Sequence, residues 1–135
     1  MTSKTEPDAP ASEAPPHGRG TLARSFYYAF AGLWWTIRTQ RNMRIHVTLG
    51  ALALVAALLL RFSTGELALL LIMITVVLVL EMLNTVVEAA VDLASPAYHP
   101  LAKTAKDVAA GAVLVSAIGS VLVGLLLFLP HLRQL

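Results

Sequence analysis

The sequence contains no cysteine and few charged residues, and both shortages restrict what the protein can be. Without cysteine there is no disulfide, thiolate metal site or cysteine nucleophile. Charged residues make up only 13% of the chain and hydrophobic residues 57%. These proportions are typical of an integral membrane protein rather than a soluble domain. The motifs GxxxxGK[ST] and GxGxxG are also missing, so any nucleotide is bound without a P-loop or a Rossmann fingerprint.

The first 20 residues differ in composition from the rest of the chain. They hold six proline and glycine residues among small and charged ones, which predicts a disordered tail without the apolar stretch of a secretory signal. Residues 21–135 are expected to form one membrane-embedded domain. Its first element, at about 21–40, has aromatic residues at helical spacing, which predicts an amphipathic helix on the membrane surface. Packing of the same aromatics on other helices is compatible with that position.

Three apolar runs predict three transmembrane helices, at about 43–61, 66–93 and 104–129. Basic residues flank the start of the first span and the connection between the second and third spans. The positive-inside rule therefore places the N-terminus in the cytoplasm and the C-terminus outside. The expected fold is an all-α protein of the bacterial plasma membrane, with one surface helix and three spans.

Polar side chains form a stripe in the second span, which is otherwise apolar. At roughly 100° per residue they all fall within about 60° of Glu81 on the helix surface. The stripe consists of Glu81, Asn84, Thr85, Glu88 and Asp92. Ionised groups in a membrane helix are costly and therefore face a polar partner or a site. A seam that holds helices together is the alternative, but the stripe predicts a metal-binding and acid/base site at the cytoplasmic edge of the bilayer.

Small residues recur every fourth position along the third span, at Ala112, Ser116, Ser120 and Gly124. This spacing lets helices approach closely. Because three helices form a thin layer, we expect a neighbouring subunit of a homo-oligomer to cover the polar stripe. The alternative, in which the three helices of one chain bury the stripe, stays open.

The polar residues suit phosphoryl transfer, which needs positioning, a metal and neutralised charge rather than covalent chemistry. Glu88 and Asp92 offer the hard oxygen ligands that Mg²⁺ prefers. Glu81, nearer the apolar run, can act as general base on an alcohol at the bilayer surface. Lys106 suits phosphate oxygens as a point charge. Three arginines are available for the same purpose, namely Arg24, Arg41 and Arg44.

Two histidines lie near these residues. His46 opens an apolar run, which favours an interfacial histidine over a ligand. His99 lies in the loop beside the expected site and suits a loop hydrogen bond as well as a nucleotide contact.

The stripe belongs to a longer pattern. Its central part reads Glu81-x-x-Asn84-Thr85-x-x-Glu88-x-x-x-Asp92, then Tyr98-His99-Pro100-Leu101-Ala102-Lys103 and Ala105-Lys106-Asp107-Val108-Ala109-Ala110-Gly111. Upstream it includes Ser25-Phe26-x-Tyr28 and Arg41-Asn42-x-Arg44-Ile45-His46. Over about residues 24–130 this pattern resembles the small prokaryotic diacylglycerol kinase family, including its undecaprenol kinase branch.

The resemblance implies a homotrimer that phosphorylates a lipid alcohol, undecaprenol or diacylglycerol, from MgATP at the cytoplasmic interface. By position, Glu81 is similar to the general base and Glu88 to a metal ligand, with Asn84 and Asp92 in supporting places. The implied nucleotide contacts are Tyr28, Tyr98, His99, Lys106 and Asp107. The implied lipid contacts are Arg24, Trp34, Asn42 and Arg44. The loop at 100–103 is more similar to the undecaprenol kinase branch.

One position departs from the family pattern. The family usually has a glutamate where this chain has Gln40, and that glutamate joins the metal ligand at the position of Glu88. A neutral amide still offers a carbonyl oxygen, so we expect either weaker Mg²⁺ binding or replacement of the ligand by Asp92 or water.

Two other classes of function fit the same residues. A small oligomeric transporter could use the intramembrane carboxylates as proton carriers, and a non-catalytic assembly protein could use them for packing. Lys106 and Asp107 on the cytoplasmic side, and spans one and three without a central charge, favour the lipid kinase. No nucleic-acid partner is expected.

Overall fold

The computed structural model of the protein describes residues 22–133, and four helices account for most of that range. They are α1 (Leu22–Thr39), α2 (Arg41–Leu59), α3 (Thr64–Ala94) and α4 (Pro100–Leu132). The last three are each long and apolar enough to cross a membrane. The predicted all-α membrane fold with three spans is therefore confirmed. The tail predicted at residues 1–20 lies outside the described residues.

A single non-helical residue separates α1 from α2. Gln40 has an extended backbone, with φ −93° and ψ 118°. Its backbone N–H donates to the Thr36 carbonyl oxygen at 2.9 Å. Thr36 is the buried residue of α1, whereas the aromatic side chains of this helix are exposed. Since α1 contacts α2 and α3 but leaves its aromatics uncovered, it has the character predicted for a surface helix.

The turn between α2 and α3 is fixed by backbone and side-chain hydrogen bonds. Arg61 has a φ of 57°, which is unusual for a residue other than glycine. Ser63 and Glu66 then form a capping box, in which the Glu66 amide donates to Ser63 Oγ and the Ser63 amide donates to Glu66 Oε2. The capping box explains why α3 begins at Thr64, slightly before the predicted span at 66–93.

The connection between α3 and α4 spans residues 95–99. His99 caps α4, because its Nδ1 accepts a hydrogen bond from the Leu101 amide at 3.2 Å. Pro100 occupies the first helical position, where its missing N–H has no consequence. α4 therefore begins earlier than the predicted span at 104–129, which was placed by hydropathy alone.

One region of close packing lies at the α2–α3 turn. Ala57, Phe62 and Leu70 form a buried cluster, against which Leu127 and Phe128 of α4 pack. Farther along, a Cβ on Gly50 would lie 2.9 Å from Ile74 Cγ2, so α2 and α3 approach each other closely there. At the opposite end, which holds the polar stripe, the helices leave two cavities.

Candidate functional site

The polar stripe on α3 passes from buried to exposed along its length. Glu81 is only 2% exposed, and Asn84 and Thr85 are also buried. Glu88 is half-buried and Asp92 is exposed. The sequence argument that a neighbouring subunit is needed to cover the stripe is therefore wrong for its first part. The chain's own α2 and α4 cover it, because these helices pack on either side of α3.

A cavity of about 300 Å³, here called the polar cavity, lies between the three spanning helices. Asn42 and His46 of α2 face Glu81 and Asn84 of α3 across it. Asn42 and His46 are four residues apart and therefore share one helix face. The α4 wall is apolar and consists of Ala110, Val113, Leu114 and Ala117. Hydrogen-bonding groups thus converge from two helices on a space that is otherwise lined by hydrocarbon.

Two oxygen atoms of this cavity are buried without a hydrogen-bond partner. They are Glu81 Oε2 and Asn84 Oδ1. The Asn84 amide nitrogen is used, since it donates to Glu88 Oε1 at 3.2 Å. Buried acceptors without a donor are rare and costly in folded proteins. The arrangement therefore suits a ligand that brings a donor, such as a hydroxyl group, into the cavity.

A second cavity of about 270 Å³, here called the loop cavity, lies where α3 ends and α4 begins. Three of the expected nucleotide contacts, Tyr98, His99 and Lys106, line it together with Asp92 and Lys103. Lys106 Nζ lies 2.5 Å from Asp92 Oδ1, so the stripe and the start of α4 meet as expected. The loop cavity thus combines two ammonium groups with an aromatic ring and an imidazole.

Other predicted nucleotide contacts lie elsewhere. Asp107 forms an ion pair with Lys103 on its own helix and does not line the loop cavity. Tyr28 lies on the exposed face of α1, where its hydroxyl accepts a hydrogen bond from Arg24 Nε at 3.1 Å. Tyr28 and Arg24 line neither the polar cavity nor the loop cavity.

The expected lipid contacts are also dispersed. Of the four, Asn42 lines the polar cavity. Arg44 lines a separate groove together with Arg41. Trp34 lies on α1 beneath the Arg38 guanidinium, whose carbon is 4.9 Å from the indole ring centre. A single chain therefore forms the polar cavity around Glu81 and the loop cavity, but it leaves Arg24, Tyr28 and Trp34 of α1 apart from both.

The described side chains offer Mg²⁺ few protein ligands. Among residues 22–133, no group of three or more histidine, aspartate and glutamate side chains is arranged to hold a metal ion. A Mg²⁺ that is bound mainly through phosphate oxygens and water needs only one or two carboxylates. Glu88, oriented by Asn84, supplies one such carboxylate. These residues fit a substrate-bound Mg²⁺ and do not form an all-protein metal cage.

His46 is the site residue that sequence reasoning undervalued. It was interpreted as an interfacial histidine, yet it lines the polar cavity opposite Glu81 and also a neighbouring apolar cavity. The signal that could have revealed it is the four-residue spacing from Asn42, which puts both side chains on the face of α2 that meets the stripe.

Comparison with known proteins gives consistent matches. Residues 27–128 match the family described as prokaryotic diacylglycerol kinase. An undecaprenol kinase from Bacillus subtilis is 44% identical over 109 residues, which cover 81% of this chain and 89% of that protein. A diacylglycerol kinase from Synechocystis is 48% identical over 115 residues, which cover 84% of this chain and 66% of that protein. A diacylglycerol kinase from Pseudomonas aeruginosa is 37% identical over 89 residues, or 66% of this chain and 72% of that protein.

Proposed function

This chain belongs to the prokaryotic diacylglycerol kinase family and is a membrane lipid kinase, and we propose that it transfers the γ-phosphate of ATP to undecaprenol or diacylglycerol at the cytoplasmic interface. The observation that carries this proposal is the buried Glu81 carboxylate, which has an unpartnered oxygen and faces a cavity large enough for a small group. The family membership argues against the transporter and the assembly protein as the main activity.

Glu81 acts as the general base in this proposal. The lipid hydroxyl enters the polar cavity and donates its hydrogen bond to Glu81 Oε2. As the hydroxyl oxygen forms a bond to the γ-phosphorus, its proton passes to Glu81, and the bond between the γ-phosphorus and the ADP oxygen breaks. Because phosphoryl transfer depends mainly on positioning and charge neutralisation, a single base in the polar cavity is sufficient on the lipid side.

The spacing along α3 supports this division of roles. At 1.5 Å per residue, Glu88 lies about 10 Å along the helix from Glu81, and Asp92 lies about 6 Å beyond it. One helix face therefore carries the base, a carboxylate for the metal, and the partner of Lys106 in that order. In this proposal the phosphates of ATP lie near Glu88, and its nucleoside lies near Tyr98 and His99.

Mg²⁺ is proposed as the metal, held by Glu88 and by the carbonyl oxygen of Gln40. When bound, it would neutralise charge on the phosphates of ATP. Asn84 keeps the Glu88 carboxylate in one orientation through the hydrogen bond at Oε1. Asp92 supports the nucleotide side, since it holds Lys106 in the loop cavity until a phosphate competes for the ammonium group.

The proposed orientation places the N-terminus of the chain in the cytoplasm. α2 begins, α3 ends and α4 begins at the same end of an antiparallel arrangement. Arg41 and Arg44 lie at the start of α2, and Lys103 and Lys106 at the start of α4, which supports a cytoplasmic position for that end. A homotrimer is proposed from the family resemblance, and it offers a route by which α1 residues of one subunit approach the site of another.

Purified full-length protein with radiolabelled ATP and Mg²⁺ tests the function. Label should appear in the lipid fraction with diacylglycerol or undecaprenol; it should be absent without lipid and strongly reduced with Glu81→Gln. Steady ATP hydrolysis without lipid labelling would contradict the proposal, as would transfer that persists unchanged in Glu81→Gln.

A further inference from the structure

Three buried side-chain oxygen atoms within residues 22–133 have no hydrogen-bond partner, and the residues that carry them line adjoining cavities. They are Glu81 Oε2, Asn84 Oδ1 and Ser120 Oγ. The first two belong to the polar cavity. Ser120 lines a neighbouring cavity of about 320 Å³, here called the apolar cavity. His46 and Ala117 line both cavities, so the two spaces share a wall.

Ser120 is unusual among the hydroxyl groups of these helices. Most of the others donate to a carbonyl oxygen of the preceding turn, as seen at Thr36, Thr39, Thr48, Thr75, Thr85, Thr104 and Ser116. Ser120 Oγ is buried and makes no such bond. Because an unpaired buried hydroxyl is unfavourable, its partner is expected from a molecule that occupies the cavity.

The rest of the apolar cavity restricts what that molecule is. Apart from His46 and Ser120, none of its lining side chains carries a nitrogen or oxygen atom; the wall includes Leu49, Leu70, Ile74, Val77, Val121 and Phe128. The occupant is therefore mainly hydrocarbon, with a hydrogen-bond acceptor at the level of Ser120. Ser120 lies three residues beyond Ala117, or about 4.5 Å along α4, so this acceptor lies close to the group held in the polar cavity.

We propose that Ser120 donates a hydrogen bond to an ester carbonyl of a diacylglycerol whose free hydroxyl lies at Glu81. In a diacylglycerol the ester carbonyls are a few covalent bonds from the free hydroxyl, whereas a polyprenol continues from its hydroxyl as pure hydrocarbon. The inference rests on the proposed kinase function and names the acceptor that the site prefers. A site that hydrogen-bonds its substrate discriminates against an analogue without the bonding group, because the site's own group is then left unpaired.

The similarity of residues 100–103 to the undecaprenol kinase branch is compatible with a preference for diacylglycerol. Residues 100–103 lie at the start of α4, where Ala102 and Lys103 line the loop cavity. None of these four residues lines the polar or the apolar cavity. Residues 100–103 are therefore expected to affect the binding of the nucleotide rather than the binding of the lipid.

The test compares three acceptors with full-length protein at saturating MgATP: a diacylglycerol, a dialkylglycerol of equal chain length with ether bonds, and undecaprenol. Wild-type protein should use the diacylglycerol with a kcat/KM about three- to ten-fold higher than the ether analogue, the usual worth of one neutral hydrogen bond. Ser120→Ala should lower kcat/KM for the diacylglycerol by the same factor and leave the other two acceptors unchanged. Ser116→Ala is the matched control, because its hydroxyl bonds to the Val113 carbonyl oxygen and does not line the apolar cavity.

The comparison between ester and ether lipids needs no variant and so remains decisive if Ser120→Ala folds poorly. Equal use of both lipids by the wild type overturns the inference, as does an equal loss on all three acceptors in Ser120→Ala. Use of undecaprenol without use of diacylglycerol overturns this inference and leaves the kinase function standing. Phosphorylation of none of the three overturns the kinase function itself.

Discussion

Lys106 of α4 contacts Asp92 of α3, with Nζ 2.5 Å from Oδ1, and joins two helices that residues 95–99 connect in sequence. The Lys106 side chain is 36% exposed and that of Asp92 is 67% exposed. Ion pairs this exposed contribute little to the free energy of unfolding. The pair is therefore better suited to hold Lys106 ready in the loop cavity than to stabilise the fold.

Lys106→Gln should raise the KM for ATP about ten-fold or more, because a charge-assisted hydrogen bond to a phosphate is lost. The thermal midpoint of unfolding in detergent should change little. Asp92→Asn is the informative partner variant, since it keeps the charge of Lys106 but weakens the contact that positions it, and it should raise the KM for ATP less than Lys106→Gln does. Equal increases of the KM for ATP in both variants would show that the ion pair acts as a structural unit.

Glu81→Gln should lower kcat by a factor of about 10² to 10⁴, the usual contribution of a positioned acid or base. The substitution keeps the size of the side chain, so the protein should stay folded in the membrane. Turnover is measured at saturating lipid and MgATP. A kcat close to that of the wild type would remove Glu81 from the role of base.

Glu88→Ala should mainly impair the use of MgATP, because a metal held by few protein carboxylates tolerates the loss of one poorly. Raising the Mg²⁺ concentration should restore part of the rate. The variant also leaves the Asn84 amide without its acceptor, so Glu88→Gln, which can still accept that bond, is the control for packing. If the Mg²⁺ and ATP dependences of both variants match the wild type, Glu88 serves helix packing instead.

Gln40→Glu should raise the apparent affinity for Mg²⁺, because it adds a carboxylate oxygen where a neutral one now lies. The KM for the lipid should stay nearly unchanged, since Gln40 does not line the polar cavity. If Asp92 already serves as the second ligand, the added charge would instead repel its neighbours and lower activity near neutral pH. A Mg²⁺ titration of both proteins separates these results, and superimposed curves would place Gln40 outside the metal site.

The sequence predicted the elements of the fold well, because apolar runs and helical spacing are local properties. The stripe from Glu81 to Asp92 needed only the angle between residues on one helix. What the sequence did not predict depends on how the helices lie against one another. The burial of Glu81 requires α2 and α4 to cover α3, and the position of His46 opposite it follows from the same packing. Ser120 was interpreted as one of several small residues, since its missing partner becomes visible only in three dimensions.

The helix boundaries were hardest to predict from the sequence where a capping hydrogen bond fixes the end of the helix. His99 accepts a hydrogen bond from a backbone amide and thereby starts α4 before the apolar run begins. Of the two roles open to His99 in the sequence, the loop hydrogen bond is present, and the ring also lines the loop cavity.

Phe62 packs against two rings of α4 at the end of the molecule far from the polar cavity. Its ring centre lies 4.7 Å from that of Phe128 and 4.4 Å from that of His131. His131 Nε2 in turn lies 3.8 Å from Glu66 Oε2. The three spanning helices thus pack around Phe62 at one end, whereas the polar cavity lies between them around Glu81 toward the other end. Movements that admit a lipid should spread the helices around Glu81 and leave the Phe62 end closed. Amide hydrogen exchange should accordingly be slower around Phe62 than around Asn42, and the difference should shrink when substrate fills the cavities.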